Sequence, residues 1–333
     1  MDERGGPLVA VILATSRSFG DGDRDLTTEL TEQGHTVLRG PSGHDIGALA
    51  GALSKADAWV AGTGPVSARH MDAAPGLRVI ARYGVGFEAV DVAAAAQRGI
   101  VVTNTPGANS DAVADHAVAL MLAALRSITA GDRGVRAGDW SVIRGRQLGS
   151  QRVGIVGFGR IGRGVAQRLS GFGGTVVAHD PFLDEDAYTA AGVVGASLDD
   201  IGRASDIVSL HAPGGRTIID TDWLDRLDHP ITLINTARPD LIDEEALADA
   251  LRDGRVRAFA ADTLLGDTAA SESPLLADDL ADRVTVTPHF GAQTVEAVDG
   301  MGSIAVDNAL AVLEGRQPPN PVPGSHPVSA STT

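Results

Sequence analysis

Short apolar runs alternate along this chain with stretches of helical period. Leu8 to Ala14, Thr36-Val37-Leu38, Ala58-Trp59-Val60-Ala61, Leu77 to Ala81 and Ile100-Val101-Val102 read as strands. Strands alternating with helices predict a parallel α/β sheet, so the first 100 or so residues form a small α/β unit of their own. Asn109-Ser110-Asp111 then caps a long helix, Ala112 to Leu125. Val113, Ala117, Leu120, Met121 and Leu125 cover most of its faces, and a helix apolar all round is buried in a core or against another subunit. A Gly- and Arg-rich stretch, 131–150, leads to a second α/β alternation.

That second alternation carries the most informative motif. The apolar run Val153 to Val156 leads into Gly157-Phe158-Gly159-Arg160-Ile161-Gly162. Ile161, Val165, Leu169 and Phe172 follow at helical spacing. A further run, Thr175 to Ala178, ends near an acid, Asp180. Strand, G-x-G-x-x-G, helix, strand and acid form the pattern of a dinucleotide-binding βαβ unit. The first glycine allows a tight turn, the second lets a pyrophosphate approach the backbone, and the third lets helix and strand pack closely. Free N–H groups at the helix start then favour the negative charge.

Four more strands are expected: Ile207 to His211, Ile231 to Thr236, Ala258 to Asp262 and Val284 to Thr287. Together they predict a six-strand doubly wound domain. One helix begins at Asp243-Glu244-Glu245 and stops at Gly254, with Arg252 near its end as the helix dipole favours. A final helix, about Gln293 to Glu314, ends at Gly315 and a Pro-rich segment. A disordered tail is expected over 323–333.

Composition narrows the class. At 333 residues the chain has the length of roughly two domains, and mean hydropathy is near zero. No run of about 18 apolar residues occurs, so no transmembrane helix is expected. The N-terminus opens acidic and lacks the basic start of a signal peptide, so a cytoplasmic protein is the expectation. The absence of cysteine excludes disulfides, thiolate nucleophiles and Cys-ligated metal centres. The nine histidines form no metal-binding spacing, and no metal site is expected. A net charge of −16 argues against nucleic-acid and anionic-membrane partners.

In an open α/β sheet, ligands bind outside the carboxyl ends of the strands. His211, Thr236-Ala237-Arg238, Asp262 with Asp267, and His289 follow successive strands there. An arginine, a carboxylate and a histidine on one rim suit a small carboxylic acid with a reducible carbonyl. Arginine grips a carboxylate through two parallel hydrogen bonds. Histidine exchanges a proton near neutral pH, and a carboxylate beside it orients the ring. Taken singly, each has an ordinary structural reading as an ion-pair partner, a loop residue or a solvated acid.

The motifs together resemble the D-isomer-specific 2-hydroxyacid dehydrogenases, the family of phosphoglycerate dehydrogenase, D-lactate dehydrogenase and glyoxylate/hydroxypyruvate reductase. The matching segments are Tyr83-Gly84-Val85-Gly86 with Val90-Asp91, Asn104-Thr105-Pro106-Gly107, Val113-Ala114-Asp115-His116 and Val153 to Gly162. They continue through Leu210-His211-Ala212-Pro213, Ile234 to Arg238, Ala261-Asp262 and Thr287 to Gly291. The resemblance implies two Rossmann-like doubly wound domains with a cleft between them. Residues 1–101 and 290–322 would form a discontinuous substrate domain and 102–289 an NAD-binding domain. It also implies a homodimer, with the helix from Ser110 in its interface.

Residue by residue, Arg238 matches the family's carboxylate-binding arginine and His289 its acid/base. Tyr83, Val85 and Gly86 match the substrate loop. Gly157, Gly159, Arg160, Ile161 and Gly162 match the pyrophosphate loop, Asp180 the ribose-binding acid, and Asp262 the residue near the nicotinamide amide. Val113, His211, Ala212, Pro213, Thr236, Ala237 and Gly291 complete the implied NAD contacts. The implied substrate is a small 2-hydroxy or 2-oxo acid.

Four departures stand out. Asp267 replaces the family's catalytic Glu. Pro239 replaces the Gly that usually follows the arginine. The loop after Pro213 is short. Ala61-Gly62 stand where phosphoglycerate-type members often carry an Arg-Ser pair, which argues against 3-phosphoglycerate. Two alternatives therefore stay open: an NAD(H)-responsive, corepressor-like binding protein, and a dehydrogenase of an unusual one-carbon or phosphonate-like acid.

Overall fold

The computed structural model describes residues 9–266 and 272–326. Its contacts divide the chain into two units, one joining residues up to Asn109 with those from Gln293 on, the other running Ser110–Ala292. The breaks fall after Asn109 and Ala292 rather than after 101 and 289. Backbone bonds explain the first difference. Asn104 N–H donates to Asn320 O at 3.2 Å and Thr105 N–H to Gly84 O at 3.1 Å, which ties the segment after the fifth strand to the first unit.

In the first unit, strands β1 (Val11–Ala14), β2 (Thr36–Arg39), β3 (Ala58–Ala61), β4 (Val79–Arg82) and β5 (Val101–Thr103) form one sheet in the order β2-β1-β3-β4-β5. Every pairing is parallel. β3 and β4 are wholly buried, which is why their sequences show no polar alternation. Leu13, Leu49, Leu53, Trp59, Ile80 and Val102 make the core of one face. The helix Val295–Leu313 packs back onto β3 and β4, held by Arg78, whose guanidinium donates to Leu313 O and Val312 O.

In the second unit, β6 (Arg152–Val156), β7 (Thr175–His179), β8 (Val194–Gly195), β9 (Ile207–Leu210), β10 (Ile231–Asn235), β11 (Val256–Ala261) and β12 (Val284–Val286) form a parallel sheet. Its order is β12-β11-β10-β9-β6-β7-β8. This is a seventh strand beyond the six expected. β8 has two residues on the sheet edge, too few to leave a periodic trace. One face is covered by helices Ser110–Arg126 and Arg160–Leu169, whose Met121 and Val165 join a core with Ile155, Ile234 and Ala260 of the strands. The other is covered by helices including Glu244–Asp253, whose Leu251 joins a core with Leu233 and Phe259 of the strands.

One helix was not foreseen, and one expectation needs correction. The Gly/Arg-rich stretch contains a helix, Ile128–Arg136, entered through Ser127 at φ +49° and bent 60° from the helix before it. Its glycines hid it, since glycine disfavours a helix interior. Of the tail expected to be disordered, 327–333 lies outside the described residues. Residues up to 326 are held: Val102 N–H donates to Ser325 Oγ at 2.7 Å, and Ser325 N–H to Val322 O at 3.0 Å. Among the described residues, no single helix is long and apolar enough to cross a membrane.

Candidate active site

The second sheet reverses its winding between β6 and β9, the point where an open α/β sheet leaves a crevice. The glycine loop sits there. Gly157 has φ +89°, and a Cβ on it would lie 2.5 Å from His211 C and Ala212 N, so only glycine fits. A Cβ on Gly162 would meet Gly157 O at 2.3 Å, which sets the close approach of helix to strand. Gly159, by contrast, faces nothing within 4 Å and stands as N-cap of helix Arg160–Leu169 without any side-chain cap. The first N–H groups of that ten-residue helix thus have no side-chain acceptor from the cap. A closed turn behind and open space in front make a cradle that fits a pyrophosphate.

Asp180 lies just past β7, anchored to the same loop. Its Oδ2 accepts from Phe158 N–H at 2.9 Å and its Oδ1 from Phe182 N–H at 3.1 Å. The Tyr188 hydroxyl bridges the Asp180 backbone, 2.8 Å from its N–H and 2.9 Å from its carbonyl. The carboxylate is therefore fixed in orientation with lone pairs left for a ligand's hydroxyls.

Across the crevice the rim continues strand by strand. After β9, His211 bonds Ser209 Oγ through Nε2 at 2.9 Å, and its buried Nδ1 has no partner among the described residues. Burial pushes its pKa down to about 4. At neutral pH it is an uncharged wall of the crevice. Ala212 and Pro213 continue the wall. After β10, Thr236 is buried, and its Oγ1 also lacks a partner among the described residues. These two orphaned polar atoms, at the carboxyl ends of β9 and β10 on the rim that starts at the glycine cradle, fit a dinucleotide better than an empty apolar crevice would.

Arg238 follows in an extended conformation, φ −134° and ψ 141°, as the proline after it requires. Asn235 shapes this turn by accepting from Ala237 N–H at 3.0 Å and donating to Arg238 O at 2.9 Å. Pro239 starts a short 3-10 turn, so its missing N–H is not needed there.

After β11 and β12 the structure brings together Asp262, Thr287, Phe290, Gly291 and His116, which lies in a matching motif segment but was given no site role from the sequence. Asp262 Oδ1 accepts from Thr287 Oγ1 at 2.6 Å and Phe290 N–H at 3.0 Å, while Oδ2 accepts from Gly291 N–H at 2.8 Å. His116, on helix Ser110–Arg126, places Nε2 2.9 Å from Thr287 Oγ1 and 3.4 Å from Asp262 Oδ1. Since the threonine proton goes to the carboxylate, His116 Nε2 carries a hydrogen and donates. Burial raises the Asp262 pKa, but bonds from His116, Thr287 and Gly291 outweigh it and hold the carboxyl below its usual range. His289 sits inside this clamp, exposed, at φ +53°, with its N–H on Thr287 O at 2.9 Å. A non-glycine residue in the left-handed region is strained and persists where neighbours over-determine it. Here the neighbours bonded to Asp262 lie on both sides. The signal for His116 was its place in the segment Val113-Ala114-Asp115-His116, one helical turn after Val113.

Val113 is buried on the same helix. Asp267 lies outside the described residues. Tyr83, Val85 and Gly86 belong to the first unit. Tyr83 is buried there and donates its hydroxyl to Val298 O at 2.9 Å, so its phenol serves the core, and burial raises its pKa to about 12. Val85 is 37% exposed and Gly86 is half-buried on the turn after β4. That turn is tied by Gly84 N–H to Thr105 Oγ1 at 3.0 Å and by Asn104 Nδ2 to Val85 O at 2.8 Å.

Fold and rim define a dinucleotide-binding α/β protein. Residues 118–291 match the family described as "D-isomer specific 2-hydroxyacid dehydrogenase, NAD binding domain". The chain is 40% identical over 291 residues to D-3-phosphoglycerate dehydrogenase of Mycobacterium bovis, which covers 86% of this chain but 54% of that relative. It therefore spans about half that relative's length. It is 36% identical over 267 residues to glyoxylate reductase of Korarchaeum cryptofilum, 78% of this chain and 80% of the relative. The crystal structure of the TT0316 protein from Thermus thermophilus superposes with a TM-score of 0.84 at 34% identity, over 94% of this chain and 99% of that one. This chain belongs to the D-isomer specific 2-hydroxyacid dehydrogenase family.

Proposed function

We propose that the protein is an NAD-dependent oxidoreductase interconverting a small 2-hydroxy acid and its 2-oxo acid. The observation that carries this reading is the succession of Arg238, Asp262 and His289 at the carboxyl ends of β10, β11 and β12, continuous with the glycine loop of β6. Arg238 binds the acid's carboxylate and stabilises charge on the carbonyl oxygen. His289 donates a proton to that oxygen in reduction and takes it from the hydroxyl in oxidation. When bound, the nicotinamide supplies or accepts the hydride at C2. Asp262, with His116, holds the loop that carries His289. Asp267 is proposed as the carboxylate that tunes His289, and Val85 and Gly86 as backbone donors to the acid.

Asp180 favours NAD, because a pinned carboxylate accepts from a ribose 2′-hydroxyl and repels a 2′-phosphate. Gly157, Gly159, Arg160, Ile161 and Gly162 are proposed to hold the pyrophosphate. Val113, His211, Ala212, Pro213, Thr236, Ala237 and Gly291 are proposed to line the rest of the cofactor's path. A homodimer is proposed from the exposed apolar residues Ile128, Trp140, Val142 and Ile143, grouped within residues 128–143.

The substrate is proposed to carry no phosphate. Ala61, at the end of β3, is buried, and a Cβ on Gly62 would lie 2.7 Å from Thr15 O, so this stretch offers no cation. The likeness to a glyoxylate reductase supports a short acid. The test is loss of NADH absorbance with glyoxylate, hydroxypyruvate, pyruvate and 3-phosphohydroxypyruvate. Turnover of a short acid that disappears in His289→Ala, with NADH affinity kept within a few-fold, is expected. NADH binding without turnover of any acid overturns the reading in favour of a binding protein.

A further inference from the structure

Within the second unit, a separate cavity of about 210 Å³ opens at the opposite end of the sheet from the rim. Thr232 and Arg257 are each the second residue of their strand, β10 and β11, so the cavity lies at the amino ends. Arg144, Arg146, Arg257 and Arg283 line it. Its one acidic lining residue, Asp282, is already paired with Arg133. In a chain of net charge −16, four arginines lining one small cavity are a local reversal of sign, with Arg283 already donating a guanidinium N–H to Leu251 O.

Two details indicate a built site. The Nη1 of Arg257 is buried and has no hydrogen-bond partner among the described residues. A buried donor of a charged group left without an acceptor is a standing penalty that a bound anion removes. Burial, and then the charge of Arg146, lower the Arg257 pKa, so the two cations are close enough to repel. The wall bearing Arg144 and Arg146 is also fixed. Arg146 N–H donates to Leu125 O at 3.0 Å, and a Cβ on Gly145 would lie 2.4 Å from that same oxygen. The chain thus presses against the C-terminal turn of helix Ser110–Arg126, which fixes the backbone that carries Arg144 and Arg146 beside the cavity.

We propose that this cavity binds a phosphate group, free or as a small phosphate monoester, through Arg257, Arg146 and Arg144. A tetrahedral oxyanion with several acceptor oxygens matches converging guanidinium donors. Its occupancy ties the irregular 139–147 segment to the strands behind it.

The test is calorimetric titration of inorganic phosphate, and separately of glycerol 3-phosphate, into the full chain with NADH at saturation to fill the glycine loop. One saturable site per chain is expected, weakened at least about tenfold in both Arg257→Gln and Arg146→Gln and unchanged in Arg238→Gln. Arg146 is exposed, so its variant keeps the test valid if Arg257→Gln fails to fold. Tighter binding of glycerol 3-phosphate would identify an ester as the natural ligand, and equal or weaker binding the free ion. No saturable binding, or binding equal in wild type and Arg146→Gln, overturns the proposal; a side chain of a second copy filling the cavity would give that result.

Discussion

Asp262 and His116 meet at 3.4 Å, carboxylate oxygen to ring Nε2, on two elements far apart in sequence. Their contact braces the turn that carries His289. Among the described residues, the bonds its carboxylate accepts come from this ring or from residues 287, 290 and 291, so it acts on the loop as one clamp.

Asp262→Asn turns one acceptor oxygen into a donor facing backbone N–H groups. Leaving buried donors unsatisfied costs about 1–3 kcal/mol. Thermal unfolding should move down by a corresponding amount, and kcat should fall at least about tenfold as His289 leaves its strained conformation. A variant of unchanged kcat would remove Asp262 from any positioning role. His116→Ala should move kcat the same way more weakly, and the double variant should show non-additivity in a thermodynamic cycle.

The glycine loop separates folding from binding at neighbouring positions. Gly157→Ala must place a Cβ 2.5 Å from backbone at φ +89° and should destabilise the chain outright. Gly159→Ala meets nothing within 4 Å, so unfolding should be nearly unchanged while NADH affinity drops. Equal affinity for NADH in Gly159→Ala would place the pyrophosphate elsewhere.

Cofactor choice should rest on Asp180. Asp180→Ala is expected to narrow the preference for NADH over NADPH, read from the ratio of kcat/KM values. It also removes an acceptor from Phe158 N–H, so NADH affinity should fall somewhat as well. A preference that does not move would sink the ribose assignment.

Acid should destabilise both units before the carboxylates titrate. Burial lowers His44 and His211 from 6.5 to about 4, and burial lowers His35 as well. For a histidine whose folded pKa lies below its unfolded one, the unfolded chain binds the proton first. Stability should therefore be full above about pH 6.5 and fall progressively towards pH 4, by at most about 3 kcal/mol per group. In the first unit the reason is visible. Thr15 Oγ1 accepts from Trp59 Nε1–H at 2.9 Å and Gly62 N–H at 3.1 Å, which leaves its own proton for His44 Nε2 at 2.7 Å. A protonated ring cannot accept it. Asp262, held below its usual range, adds a second loss only below about pH 3.8, as its carboxyl protonates. Urea midpoints at pH 7.5, 6, 5 and 4.5 measure the first window; a flat profile there would contradict the burial of both rings.

The amino-acid sequence by itself determined what short-range physics controls. Apolar runs marked eleven strands, because strands buried on both faces need no polar alternation. Gly157 and Gly162 of the dinucleotide loop were legible because backbone geometry and close approach there admit no other residue. Arg238 and His289 were legible as rim residues because a parallel sheet puts every strand's carboxyl end on one side. Two-residue β8 and the glycine-bearing helix Ile128–Arg136 were not, since edge pairing and tertiary packing overrule weak local preference. Only the folded chain decided that Tyr83 spends its hydroxyl on the core, that His116 and Asp262 brace the turn at His289, and that four arginines scattered from 144 to 283 converge at the far end of the sheet. Those relationships join residues over a hundred positions apart, and proximity of that kind arises from packing, which no local pattern encodes.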